Sequence, residues 1–134
     1  MQDAAIQPRS DGRRRVVLAT DIAETSLTID GVATVVDSGY CRQPRFDPNR
    51  GLSRLETRRI SQASADQRAG RAGRQGPGVC LRLWTEAQQR ELAERTEPEI
   101  RTADLGPLAL ELLRWGVADP AVLAWLDPPP PGHW

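Results

Sequence analysis

Gln67-Arg68-Ala69-Gly70-Arg71-Ala72-Gly73-Arg74 is the most informative stretch of this 134-residue chain. Its three Arg recur every three residues, so on a helix they share one broad face. The small residues between them let another surface approach closely, although each Gly costs about 0.5–1 kcal/mol in a helix interior. A row of guanidinium groups beside a polyphosphate would account for both features. The alternative is a solvated, charged face on a loosely formed surface helix.

The segments around this stretch predict an α/β fold. Apolar runs at residues 16–20, 32–36 and 79–84 are short and partly β-branched, which predicts three buried strands. Residues 61–73, before the last of these runs, predict a helix. Ser64 followed by Gln67 fits a capping box at its start, and Ser61 is the competing N-cap.

A basic β-hairpin is predicted between the second strand and this helix. Two runs, residues 40–46 and 52–60, flank Asp47-Pro48-Asn49-Arg50-Gly51, which has the composition of a turn. The hairpin contains six Arg, which are Arg42, Arg45, Arg50, Arg54, Arg58 and Arg59.

The last third of the chain predicts helices separated by a linker. Thr85 with Gln88 starts a polar, exposed helix that continues to about Arg95, and residues 96–99 form the linker. Helical spacing then places Leu105, Leu108, Ala109, Leu112 and Leu113 on one apolar face, and Gly116 ends that helix. Asp119 and Pro120 open a further short helix, which the prolines at 128–131 stop.

Charge is distributed unevenly along the chain, although the formal net charge is zero. Residues 38–83 carry ten Arg and three acids, a net charge of +7, whereas the flanking segments carry −2 and −5. A block of this kind can attract phosphates while the whole chain stays neutral.

Composition excludes several other classes of protein. No run approaches 18 consecutive apolar residues, and the N-terminus lacks the basic start and apolar stretch of a secretory signal. Cys41 and Cys80 have no metal-like spacing, which predicts two reduced thiols, no metal site and a cytoplasmic location.

Two long motifs in the chain resemble those of one enzyme family. Residues 67–74 resemble motif VI of the DEAH-box helicases of superfamily 2, and Ala19-Thr20-Asp21-Ile22-Ala23-Glu24-Thr25-Ser26-Leu27-Thr28-Ile29 resembles motif V. One departure is Asp21, where the family commonly has Asn. Four shorter stretches resemble the bacterial HrpB subgroup of this family. These stretches are Arg45-Phe46-Asp47-Pro48, residues 59–64, Leu112-Leu113-Arg114-Trp115-Gly116 and Trp125-Leu126-Asp127. The resemblance covers nearly the whole chain.

This resemblance implies a domain organisation. Residues 1–96 would be the C-terminal portion of the second RecA-like domain of an ATP-dependent RNA helicase, an incomplete open sheet. Residues 97–134 would begin a winged-helix-like domain. ATP would lie between this chain and a first RecA-like domain in the same protein, which would hold the Mg²⁺. Met1 would then be an internal Met or a mis-assigned start.

The resemblance also implies roles at an ATP site. Arg71 and Arg74 would be arginine fingers that neutralise charge as the γ-phosphoryl group leaves. Gln67 would contact the γ-phosphate or orient the attacking water, or would instead serve only as the capping-box partner. Ser26 would sense the γ-phosphate and Asp30 would hold the nucleotide ribose. For Arg68 a structural role is expected, in which it pairs with an acid such as Asp37 or Asp66.

RNA contacts are implied for two further sets of residues. Thr20 and Thr28 would hydrogen-bond the sugar-phosphate backbone, which positions a strand without reading its sequence. A hydroxyl that caps its own backbone is the alternative for Thr28. The hairpin would be the strand-separating element, with Arg42, Arg45, Arg54 and Arg58 on RNA, or on DNA; otherwise its Arg only keep an exposed hairpin soluble.

Two absent motifs limit what the chain does alone. It contains neither G-x-x-x-x-G-K-[ST] nor Asp-Glu-x-His, so it would carry half of an active site. The rival interpretations are a non-catalytic, basic nucleic-acid-binding fragment and the inert product of a truncated gene.

Overall fold

The computed structural model describes residues 13–25 and 29–133. Within these ranges the elements follow one another as α1 (Ile22–Thr25), β1 (Thr34–Asp37), β2 (Tyr40–Asp47), β3 (Leu52–Arg59), α2 (Gln62–Ala69), β4 (Val79–Arg82), α3 (Glu86–Glu91), a 3₁₀ helix at Glu99–Arg101, α4 (Gly106–Arg114) and 3₁₀ helices at Pro120–Val122 and Pro131–His133. The chain forms two compact units, one of residues 1–42 with 57–96 and one of residues 43–56 with 97–134. The predicted α/β class is confirmed.

The first unit contains a small parallel sheet. β1 and β4 pair in parallel, with Thr34 opposite Val79 and Asp37 opposite Arg82. Helix α2 contacts β1 and α1. Ile60, Ala65 and Leu92 form the buried cluster beside α2, and Cys41 and Trp84 pack against it. This packing fixes α2 and the turn that follows it.

Helix α2 begins after Ser61, which confirms the competing N-cap, and it ends earlier than predicted. Ser61 is its N-cap, since the Ser61 side chain accepts a hydrogen bond from the Ser64 backbone N–H at 3.1 Å. The capping box based on Ser64 is therefore wrong. The helix ends at Ala69 and residues 71–73 form turns, so the predicted helix to Gly73 is too long. Two Gly within four residues remove the propensity that would continue it.

Two predictions about the sheet are also wrong. Residues 16–20 form no strand with any described part of the chain, and Val16 and Leu18 are 88% and 95% exposed. On the paired strands, Val36 and Leu81 lie opposite each other and are 60% and 51% exposed. An apolar run becomes a buried strand only if a neighbouring strand pairs with its backbone and another element packs over its side chains. In the described residues, α2 packs on the face of β1 opposite to Val36.

The hairpin prediction is confirmed. β2 and β3 are joined by a tight turn in which the Asp47 carbonyl accepts from the backbone N–H groups of Arg50 and Gly51, at 3.1 and 2.9 Å. The Asp47 side chain also accepts from the Asn49 N–H at 3.0 Å. Gly51 has φ = +63°, a conformation that Gly adopts without a Cβ penalty. The base of the hairpin belongs to the first unit and its tip to the second.

Two predicted helix caps in the last third of the chain are confirmed. Thr85 and Gln88 form the predicted capping box, although α3 ends at Glu91 and not near Arg95. In the second unit, Gly116 has φ = +83° and follows α4. Leu112 of α4 and its N-cap Leu105 are buried, whereas Leu113, predicted on the same apolar face, is 53% exposed. Asp119 caps the short helix as predicted, and that helix is 3₁₀. None of the helices in residues 13–25 and 29–133 combines the length and apolar character needed to cross a membrane.

Replacing Gly39 by Ala is expected to destabilise the fold by about 2 kcal/mol or more, because two penalties add. Gly39 has φ = +76°, and a Cβ there would lie 2.8 Å from Cε3 of Trp84, an aromatic ring in the core. Gly51→Ala is the matched control, since its φ is also positive but nothing lies within 4 Å of its Cβ position. Urea unfolding of both variants checks this. Equal loss of stability in the two would contradict the contact with Trp84.

Candidate functional site

A shallow pocket of about 130 Å³ joins the turn after α2 to the segment before β1. Its lining residues come from two short stretches of the first unit, and they are Ile29, Asp30, Gly31, Val32, Arg71, Arg74 and Gln75. Three of the predicted ATP-site residues, Asp30, Arg71 and Arg74, thus line one pocket, the arginine pocket. Because it holds two guanidinium groups and one carboxylate, it favours an anionic group.

Gln75 holds the two stretches of the arginine pocket together. Its side-chain amide donates to Oδ1 of Asp30 at 2.8 Å, and its Oε1 accepts from the Gly31 backbone N–H at 2.9 Å. The backbone carbonyl of Asp30 also accepts from Nη2 of Arg15 at 3.3 Å. No sequence pattern predicts this role, since a single Gln in a Gly-rich turn is not distinctive.

The two arginines of the pocket differ in their surroundings. Arg71 is half-buried, and its guanidinium donates to the backbone carbonyl of Glu24 in α1. Arg74 is exposed. Both lie in the turn that follows α2, where the backbone leaves the helical path.

Arg68, the first Arg of the motif, is an internal ion-pair partner. Its Nε lies 2.9 Å from Oε2 of Glu24 and its Nη1 lies 3.0 Å from Oδ1 of Asp37. Burial opposes the charge, but the hydrogen bond to Glu24 and the charge of Asp37 outweigh it and raise the pKa of Arg68. The expected pairing with Asp37 is confirmed. The alternative with Asp66 is wrong, because Asp66 pairs with Arg82 at 2.7 Å.

Gln67, a further predicted ATP-site residue, does not line the arginine pocket. Gln67 is exposed on α2. It is not the partner of a capping box, since the Ser64 hydroxyl donates to Oε1 of Glu24 and Ser61 caps the helix. Ser26, predicted to sense the γ-phosphate, lies outside the described residues.

The predicted RNA-binding residues have different surroundings. Thr20 is exposed, and Thr28 lies outside the described residues. On the hairpin, Arg42 and Arg58 are exposed. At its tip, Arg54 pairs with Glu56 at 3.0 Å and the half-buried Arg45 lies 3.8 Å from Glu97. Arg42 and Arg58 are therefore the better placed for phosphate contacts.

Two other hairpin arginines make contacts within the chain. Arg50 lies 3.7 Å from Asp47 across the turn. The Arg59 guanidinium lies 5.0 Å from the centre of the Tyr40 ring and 5.5 Å from that of Trp84. Such cation–π contacts stabilise the base of the hairpin.

The two thiols take no part in the arginine pocket. Both cysteines are unpaired, and burial raises the pKa of Cys41 and of Cys80. This disfavours the thiolate, the form that reacts and binds metals. In residues 13–25 and 29–133, no three acidic, His or Cys side chains cluster as metal ligands.

Comparison with protein families finds a match that covers more than half of the chain. Residues 1–76 match the helicase conserved C-terminal domain. This range includes both long motifs and every residue that lines the arginine pocket.

Individual relatives extend the similarity to nearly the whole chain. The chain is 56% identical over 129 residues to the ATP-dependent RNA helicase HrpB of Escherichia coli, and 47% identical over 130 residues to the probable ATP-dependent RNA helicase DHX34 of Homo sapiens. These matches cover 96% and 97% of this chain but only 16% and 11% of the two relatives.

Solved structures agree with the sequence comparison. Two crystal structures of Escherichia coli HrpB superpose on the chain with TM-scores of 0.89 and 0.92, at 55% identity. Each match covers 98% of this chain, and 16% and 17% of the two solved chains respectively. The fold of the present chain is therefore similar to one segment of a much longer protein.

Proposed function

The chain belongs to the family of helicase conserved C-terminal domains, and on that premise we propose that it works within an ATP-dependent RNA helicase of the HrpB type. In this proposal residues 1–96 belong to the second RecA-like motor domain and residues 97–134 begin a winged-helix-like domain. The protein would be cytoplasmic. Its activity would couple ATP hydrolysis to binding, translocation along or unwinding of RNA.

The observation that carries this proposal is the convergence of Arg71 and Arg74 with Asp30 in one pocket. Asp30 directly follows motif V and the two arginines lie in motif VI, more than 40 residues later. A helicase that uses both motifs on one nucleotide requires this juxtaposition. A helix whose arginines served only for solubility would not require it.

The residues of the arginine pocket fit the end of a nucleotide triphosphate. Arg71 and Arg74 can donate planar, charged hydrogen bonds to phosphate oxygens, and Asp30 can accept from ribose hydroxyls. Because the pocket is shallow, this chain would supply one wall and the first RecA-like domain the other. ATP is thus the proposed ligand of this wall.

These residues do not fit Mg²⁺. Asp30 is the only acid among the described residues that line the pocket, and the arginines there repel a cation. We therefore assign the metal to the first RecA-like domain. When bound there, Mg²⁺ would help neutralise the phosphate charge, as it does in related NTPases.

Arg71 and Arg74 would act as arginine fingers. As the γ-phosphoryl group separates, negative charge spreads over its oxygens and the leaving oxygen. Guanidinium groups already placed in a pocket stabilise that charge without reorganising water. Gln67 would contact the γ-phosphate or orient the attacking water after closure of the two motor domains, and Ser26 would sense the γ-phosphate.

RNA would lie along the exposed residues of motif V and the hairpin. Thr20 and Thr28 would bind the sugar-phosphate backbone, and Arg42, Arg45, Arg54 and Arg58 would add contacts to phosphates. Such contacts are insensitive to sequence, so DNA is an alternative ligand of the same surface. The exposure of Arg42 and Arg58 supports this part of the proposal.

A hybrid helicase tests the proposal directly. In it, this chain replaces the 129-residue segment of Escherichia coli HrpB to which it is similar. We expect ATPase activity and its dependence on RNA in the hybrid to match those of the unmodified Escherichia coli protein measured beside it. A hybrid that folds but hydrolyses no ATP, while the unmodified protein does, would favour the non-catalytic fragment.

The chain on its own is expected to release no phosphate from ATP above background, with or without RNA. The arginine pocket can stabilise charge, but the groups that bind the triphosphate and metal come from elsewhere. A radiometric phosphate-release assay on the pure chain, with the hybrid helicase as positive control, checks this. Turnover by the pure chain that is abolished in its Arg71→Ala variant would contradict the half-site account.

A further inference from the structure

We propose that Glu24 is a positioning residue that places Arg71 for catalysis. This rests on the proposed function, since it assumes that Arg71 is an arginine finger. Glu24 is in α1, within motif V, and it contacts both α2 and the turn after it through two different groups. It joins the motif that would bind RNA to the motif that would complete the ATP site.

The Glu24 carboxylate binds α2 with both of its oxygens. Oε1 accepts from the Ser64 hydroxyl at 2.5 Å, and Oε2 accepts from Nε of Arg68 at 2.9 Å. The side chains of Glu24 and Arg68 are only 12% and 14% exposed. Charge-assisted hydrogen bonds shielded in this way are stronger and less screened than surface pairs. They fix α1 against one face of α2.

The Glu24 backbone carbonyl has a separate role. It accepts a hydrogen bond from the Arg71 guanidinium, which lines the arginine pocket. An arginine side chain has four rotatable bonds, so an acceptor at a fixed place restricts where its planar group lies. The place of that acceptor depends on α1, and the Glu24 carboxylate anchors α1.

Helix α1 also links this anchor to Thr20. The Ala23 N–H donates to the Thr20 carbonyl at 3.2 Å, and the Glu24 N–H donates to the Asp21 carbonyl at 2.8 Å. With four residues, α1 is too short to be stable without tertiary contacts. Movement at Thr20, one of the proposed RNA contacts, would therefore move the carbonyl that holds Arg71.

Loss of the Glu24 side chain should leave the fold intact. Arg68 keeps its ion pair with Asp37 at 3.0 Å and its hydrogen bond to the Tyr40 carbonyl at 3.1 Å. Glu24→Ala also keeps its backbone carbonyl, so Arg71 loses no hydrogen-bond acceptor directly. What changes is the anchoring of that acceptor, which separates positioning from simple loss of a contact.

The test compares kcat and KM of ATP hydrolysis in the hybrid helicase. Glu24→Ala is expected to lower kcat about tenfold, because a displacement of 1 Å at a reacting group can cost as much as 10²-fold. KM for ATP should change less than about twofold, since Glu24 does not itself line the arginine pocket and the contact of Arg71 strengthens only as charge develops on the transferring group. Asp66→Ala is the matched control. It removes another α2 ion pair, that with Arg82, without touching α1, and should leave kcat unchanged.

A double substitution separates positioning from a general effect on structure. If Glu24 acts through Arg71, adding Glu24→Ala to Arg71→Ala should lower kcat no further. An equal further loss in that background would overturn the inference, as would a Glu24→Ala variant that behaves like Asp66→Ala. If Glu24→Ala fails to fold, Glu24→Gln takes its place in the same cycle, because its amide keeps the size and one acceptor. Should Arg71→Ala itself leave kcat unchanged, the proposed function fails instead.

Discussion

Replacing Arg71 or Arg74 by Lys in the hybrid helicase is expected to lower kcat for ATP hydrolysis by about 10²-fold or more, close to the loss caused by Ala. Lys keeps a positive charge but lacks the planar guanidinium group, which can donate hydrogen bonds to two phosphate oxygens at once. KM for ATP should change much less, because the contact strengthens only as charge develops on the transferring group. Steady-state ATPase assays on the four variants measure this.

Arg82→Lys is the control for the loss at Arg71 and Arg74. Arg82 is also half-buried and charged, but it pairs with Asp66 and does not line the arginine pocket. Its replacement should leave turnover unchanged. Wild-type turnover by both Arg71→Lys and Arg74→Lys, at unchanged Tm, would show that the fingers have been assigned to the wrong residues.

The affinity of this chain for RNA is expected to fall by about 50-fold between 50 and 200 mM salt, if its four proposed arginines neutralise four phosphates of single-stranded RNA. The four proposed arginines are not equivalent, because Arg45 and Arg54 already have acidic partners. Replacing Arg42 and Arg58 together by Ala should therefore weaken binding more than replacing Arg45 and Arg54 together. Fluorescence anisotropy with unrelated RNA sequences, at several salt concentrations, measures both effects.

The outcome that would contradict this account of the hairpin is specific. Affinity that does not change with salt would exclude phosphate contacts as its source. Unchanged affinity after all four arginines are replaced would leave the hairpin with the alternative role, that of an exposed element kept soluble by its charges.

Local chemistry in the sequence predicted local structure well. The hairpin turn at Asp47–Gly51, the Thr85 capping box and the Asp119 cap each depend on residues within a few positions of one another. The choice between two possible starts of α2 is also local, since Ser61 and Ser64 both fit an N-cap. Burial of Ile60 beside the cap, which no local pattern reveals, distinguishes them.

Long-range pairing explains most of the other differences. Whether residues 16–20 form a strand depends on a partner elsewhere in the chain, and composition does not identify that partner. At the site, the resemblance to motifs V and VI anticipated that Asp30 would lie with Arg71 and Arg74. Gln75 and Glu24 were missed because their long-range contacts join residues 40 to 47 positions apart. Short-range patterns carry no information on such contacts.

Binding of ADP with aluminium fluoride to the hybrid helicase measures how Arg71 interacts with the reacting group, because this complex mimics the transferring phosphoryl group. If Arg71 is an arginine finger, Arg71→Lys should weaken binding of this complex by about 10²-fold and change the affinity for ADP alone by less than about threefold. Equal affinity of the wild-type and Arg71→Lys hybrids for the transition-state mimic would contradict the claim that this chain completes the ATP site.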